Sequence, residues 1–192
     1  MITRLLLFSC VAGLVGCAGT GTQFEARQPR ANAAWRASLG EASFVTLAAG
    51  ETREFKITPD LQTFGFPEGI SYFVGIELPR HDSPRKLTLR TLPVNPVRAA
   101  HVFVPRLAVV APDGKVARYV ELEFRPIDRS LLARNTGWVG SLTLYPGESR
   151  LAVYTATLLP QTLRLPEPDE PGGYWYVPSG PTGVVEITLN DG

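Results

Sequence analysis

Leu107-Ala108-Val109-Val110-Ala111-Pro112-Asp113-Gly114-Lys115-Val116-Ala117-Arg118-Tyr119-Val120-Glu121-Leu122-Glu123-Phe124 is the stretch that decides the fold class. An apolar run meets a turn, and an alternating run follows. Proline presets φ at the turn and glycine accepts the left-handed position that closes it. In the return run Val116, Val120, Leu122 and Phe124 share one face, with Ala117, Tyr119, Glu121 and Glu123 on the other. Side chains alternate across a strand, so this is the pattern of a half-buried antiparallel strand. The stretch predicts a hairpin.

The same texture extends in both directions. Upstream, Tyr72, Val74, Ile76 and Leu78 share a face opposite Ser71, Gly75 and Glu77, and Leu87, Leu89 and Thr91 repeat the spacing. Phe44–Leu47 and Arg53–Ile57 flank Ala49-Gly50-Glu51, which reads as a hairpin turn. Downstream, Trp138–Tyr145 and Leu151–Leu158 flank Pro146-Gly147-Glu148-Ser149, which reads as another. Pro126–Asn135 offers one or two helical turns, Pro166–Gly173 is a proline-rich loop, and Val184–Leu189 is a final strand. Many short strands and no long amphipathic helix predict an all-β chain. The expected packing is a single antiparallel β-sandwich, jelly-roll-like in architecture, spanning 35–192.

The N-terminus has a different character. Arg4 supplies a positive charge, Leu5–Val15 an apolar stretch, and small residues precede Cys17, the three parts of an export signal. The stretch falls short of the roughly 20 apolar residues of a membrane span. Leu14-Val15-Gly16-Cys17 resembles a lipobox. That resemblance implies cleavage after residue 16 and lipidation of Cys17, against the alternative of an ordinary secretory signal with a chance cysteine. Acyl chains there would anchor the protein, each buried methylene being worth about 0.8 kcal/mol. Ala18 in place of aspartate implies sorting to the outer membrane, facing the periplasm. The expected division is therefore a signal peptide over 1–16, a lipidated cysteine and polar tether over 17–34, and the β-domain over 35–192.

Composition narrows the chemistry. The chain carries 19 basic and 18 acidic side chains, so removing Arg4 with the signal leaves no net formal charge, which gives no footing for nucleic acid. Both cysteines, Cys10 and Cys17, lie in or beside the signal, so the domain must hold together by packing rather than by disulfides. His81-Asp82-Ser83 has the letters of a catalytic triad, but triad members come from separate elements, and a solvated loop accounts for the segment. His101 reads as a strand-end residue. Two distant histidines make no zinc site, and no phosphate loop or nucleophile elbow occurs. The chain is expected to be no enzyme, with no metal and no cofactor. In Tyr174-Trp175-Tyr176 the two tyrosines share one face of a strand and Trp175 takes the other. Either Tyr174 and Tyr176 bind a sugar face, or Trp175 fills the core and the tyrosines rim it.

Residues 35–189, taken in order, resemble the periplasmic protein encoded in maltose operons. The shared pattern is Trp35, the Leu47-Ala48-Ala49-Gly50-Glu51 turn, Leu87-Thr88-Leu89, and Val102-Phe103-Val104-Pro105-Arg106-Leu107-Ala108-Val109-Val110. It continues through Gly140–Leu144, Pro146-Gly147, Leu151–Thr155 and Thr182–Ile187. The chain departs from that family in carrying a lipobox and in ending at the last strand. The resemblance implies a non-enzymatic accessory of maltose and maltodextrin uptake, with maltodextrin or an envelope protein as partner. The competing expectation is a structural or assembly lipoprotein that docks on a cell-envelope or secretion complex.

Overall fold

The computed structural model describes residues 29–32, 34–94, 101–127, 137–158, 161–166 and 173–190, with Leu165, Pro166, Tyr174 and Trp175 described in their backbone only. The expected signal peptide, Cys17 and most of the expected tether lie outside these residues. So does the body of the expected helical turn, since Arg125–Pro126 is a short strand and 128–136 are not described.

The chain folds as an all-β sandwich. One sheet is ordered β1 (Phe44–Thr46), β5 (Val74–Glu77), β12 (Arg150–Tyr154), β8 (Arg106–Val110) and β9 (Val116–Glu121). The facing sheet is ordered β10 (Arg125–Pro126), β11 (Trp138–Leu144), β6 (Arg85–Val94), β15 (Gly183–Leu189) and β2 (Thr52–Ile57), and β7 (His101–Val102) pairs the end of β6. Two small hairpins flank them: β3 (Thr63–Phe66) with β4 (Gly69–Tyr72), and β13 (Thr162–Pro166) with β14 (Tyr174–Pro178). Pairing between named strands is antiparallel except at one edge, where β1 runs parallel to β5.

The main core lies between the sheets. Val74, Ile76, Leu107, Val109, Leu151 and Val153 from the first meet Phe55, Leu87, Leu89, Leu142, Leu144, Val185 and Ile187 from the second. Alternation explains which residues face inward. The first sheet is also covered on its outer face. There Phe73, Ala108, Val110, Ala152 and Tyr154 pack under Phe66 of the β3–β4 hairpin and Leu39 of a short 3₁₀ turn, Leu39–Glu41. Burial on both faces is why Leu107–Val110 and Leu151–Tyr154 are unbroken apolar runs.

The 107–124 hairpin forms as expected. Gly114 N–H donates to Ala111 O at 2.9 Å, Lys115 N–H donates to Asp113 Oδ1 at 3.0 Å, and Gly114 adopts φ 81°. Its strand ends at Glu121, yet Leu122 remains in the core. The other two expected hairpins are corrected. β1 and β2 lie in opposite sheets, as do β11 and β12, so each intervening turn carries the chain across the sandwich. A tight turn with glycine at positive φ (Gly50 at 72°, Gly147 at 85°) reverses the chain in either arrangement. The strand expected over 72–78 is interrupted at Phe73, whose side chain is buried in the outer layer. Asn32, within the expected tether, is fastened to the domain: its amide donates to Pro59 O and Leu61 O, and its Oδ1 accepts from Thr63 Oγ1 at 3.0 Å.

Candidate functional site

The aromatic segment singled out in the sequence lies on β14, which pairs β13 in a hairpin apart from both main sheets. The inner side of the hairpin is locked. Trp138, 1% exposed, donates its indole N–H to Arg164 O at 3.0 Å. Val177 is buried with Val102, Val104 and Trp138, and Leu163 packs against them. At the base, Ser179 N–H donates to Gln161 O at 2.7 Å, Gln161 N–H donates to Ser179 Oγ at 2.9 Å, and Gly180 N–H donates to Val102 O at 2.8 Å.

The outer side is open. Tyr176 is 61% exposed and stands directly across the ladder from Arg164, with the guanidinium carbon 5.8 Å from the ring centroid. Thr162 and Pro178, the next exposed cross-strand pair, extend the same surface. A cation over an aromatic face is attracted by the ring quadrupole, weakly at an exposed site. The result is a half-rigid plate with one phenol, one guanidinium and a hydroxyl, fixed from behind by a buried tryptophan. Arg164 was missed by sequence reasoning. The signal available was the alternation Thr162-Leu163-Arg164-Leu165, which places Arg164 opposite in character to its two leucine neighbours. Tyr174 pairs Pro166 two positions along from Tyr176, but its side chain and that of Trp175 lie outside the described residues, as does Cys17.

The histidines take structural positions. His81-Asp82-Ser83 lies in a loop with Asp82 and Ser83 exposed, but His81 itself is turned inward: its Nδ1 lies 3.0 Å from Ser83 O and its Nε2 3.2 Å from Glu148 O. His101 begins β7 at a strand end. Among the described residues no three His, Cys, Asp or Glu side chains gather into a metal-binding group. Nor is any described helix long and apolar enough to cross a membrane.

A polar cluster surrounds Arg106. Its guanidinium pairs Glu68 at 2.8 Å and Glu121 at 2.7 Å, while Glu68 accepts a further bond from the Tyr154 hydroxyl at 3.1 Å. Burial, reinforced by the Glu68 carboxylate, raises the Tyr154 phenol well above its ordinary value. Tyr154 lies flat against Phe66 at 3.7 Å between centroids. These bonds join the turn of the β3–β4 hairpin to the first sheet, a fastening role.

No family model and no curated protein matches this chain. Among solved structures it is similar to the pre-peptidase C-terminal domain of collagenase from Bacillus anthracis, at 10% identity over 77% of this chain and 95% of that one, with a TM-score of 0.34.

Proposed function

We propose that this protein is a non-enzymatic lipoprotein, anchored through Cys17 to the outer membrane and facing the periplasm, that assists maltodextrin uptake by contacting the sugar through the outer face of the β13–β14 hairpin. The observation that carries the proposal is Tyr176, widely exposed beside Arg164 on a hairpin that Trp138 holds from within. An aromatic ring offers a sugar its apolar face, and a guanidinium offers planar donors to hydroxyl oxygens. The resemblance to the maltose-operon protein supplies maltodextrin as the sugar, and the lipobox supplies the location.

One shallow face must overcome the entropy of association, so affinity in roughly the millimolar to micromolar range is expected. Ligand-observed NMR with a maltodextrin series tests the proposal. The native chain should show saturable binding, and Tyr176→Ala and Arg164→Ala should each lose it while keeping a native strand spectrum. No binding at high sugar concentration rejects direct recognition and favours docking on an envelope complex instead.

A further inference from the structure

A second concave site lies where the hairpin returns to the sandwich. From Ser179–Gly180 the chain runs directly to Pro181, and there it forms one wall of a cavity of about 620 Å³. Ligand pockets commonly fall between roughly 300 and 1,000 Å³ and are mostly apolar with a few polar groups that fix orientation. Ile57, fully buried in the main core, and the half-buried Tyr72, Val94 and Val184 line it. Thr58, Thr182 and one charged residue, Lys56, also line it.

That single charge decides the class of ligand. Lys56 is exposed on β2 directly across from Val184, and among the described residues it forms no ion pair. Glu186, two residues further along β15, is already paired with Arg90 at 3.0 Å. An unpaired ammonium on the wall of an otherwise apolar cleft attracts an anion and repels a cation. The apolar lining favours each methylene it removes from water, whereas a sugar would leave most of its hydroxyls without partners there.

We propose that this cavity binds a free, single-chain amphipathic anion, an apolar chain ending in one carboxylate, with Lys56 holding the carboxylate and the Ile57–Val184 cleft holding the chain. The site is separate from the sugar face of the hairpin and does not depend on it.

Decanoate, kept below its micelle concentration, is the probe, with decanol and decyltrimethylammonium as neutral and cationic controls, against full-length protein carrying Cys17→Ser. Saturable decanoate binding is expected, with amide shifts confined to Ile57, Thr58 and Thr182–Val184 and the cation weakest of the three. Lys56→Gln, a change at an exposed side chain, should weaken decanoate roughly fivefold, as one partly exposed ion pair would, and leave decanol unchanged. Equal loss of decanoate and decanol, or shifts scattered over other surfaces, overturns the proposal. So does Lys56-dependent sedimentation with phosphatidylglycerol vesicles in the absence of saturable decanoate binding, because that result assigns Lys56 to a membrane surface.

Discussion

Arg118 grips Glu148 through two nearly parallel hydrogen bonds, Nε to Oε1 at 2.7 Å and Nη2 to Oε2 at 2.8 Å. Oε2 also accepts the Tyr145 N–H at 2.8 Å, and Arg118 reaches Thr143 O at 3.2 Å. The pair therefore clamps the edge strand β9 of one sheet to the corner through which the chain leaves the other.

This clamp predicts an acid-limited stability. The Arg118 hydrogen bond, aided by the Tyr145 N–H, lowers the Glu148 carboxyl against the opposing effect of burial. A carboxylate depressed in the native state contributes stability above the ordinary carboxylate range, and that contribution disappears as pH falls through the lowered native value. Thermal melts should show a falling midpoint below about pH 5. Glu148→Gln should cost roughly 1–2 kcal/mol at neutral pH and flatten that acid limb. An unchanged limb would remove Glu148 as a principal cause.

The two carboxylates on Arg106 should differ sharply in worth. Glu121 is 59% exposed in its side chain and also accepts from Gln161, so Glu121→Ala should cost less than about 1 kcal/mol. Glu68 is 16% exposed and satisfies both Arg106 and the Tyr154 hydroxyl. Glu68→Ala leaves the Tyr154 hydroxyl without its carboxylate and Arg106 with Glu121 alone, and should cost roughly 1–3 kcal/mol. Chemical denaturation of both variants measures the contrast.

Gly75 marks the parallel edge. A Cβ there would sit 2.5 Å from Ser43 O and 2.9 Å from the Phe44 ring. Gly75→Ala should therefore push β1 away from β5, destabilising by roughly 1–3 kcal/mol and speeding amide exchange over Phe44–Thr46 first. Protection of those amides equal to the native chain's would contradict the contact.

Leu122→Asp should unfold the domain. Leu122 lies in the main core although it follows the end of β9, and an unpaired charge placed there costs several kcal/mol. A cooperative melt close to the native one would contradict that burial.

The proposed membrane anchor at Cys17 is separable from all of these. Metabolic palmitate labelling should mark the protein, and Cys17→Ser should abolish the label and leave uncleaved precursor. Labelling that survives the substitution rejects the lipobox.

The all-β class and the faces of the longer alternating strands were legible because burial imposes a period of two on such segments, whereas β3, β10 and β13 carry too short or too irregular a pattern to be read. Pro112-Asp113-Gly114 identified its hairpin because the apolar and alternating runs beside it belong to one sheet. Gly50 and Gly147 misled for a physical reason. Turn chemistry dictates that the chain reverses, but not whether the next strand pairs its neighbour or the opposite sheet; that depends on contacts far away, such as Gly50 N–H donating to Leu189 O at 2.8 Å. At the candidate site, Tyr176 was legible from alternation, whereas Arg164 became visible only through its cross-strand register with Tyr176. The cavity beside Lys56 had no sequence signal, since its walls come from four separate stretches.

The position of β15 between β6 and β2 governs how the molecule is born. A ribosome or a translocation pore delivers the N-terminal end first, so β2 and β6 emerge more than 80 residues' worth of chain ahead of the strand that joins them. Until Gly183–Leu189 arrives, β2 has no partner in that sheet and one side of β6 is unpaired, so apolar side chains that the finished sandwich buries face water. The order of delivery thus leaves the β2–β15–β6 ladder to close late, after the long intervening stretch of chain has emerged.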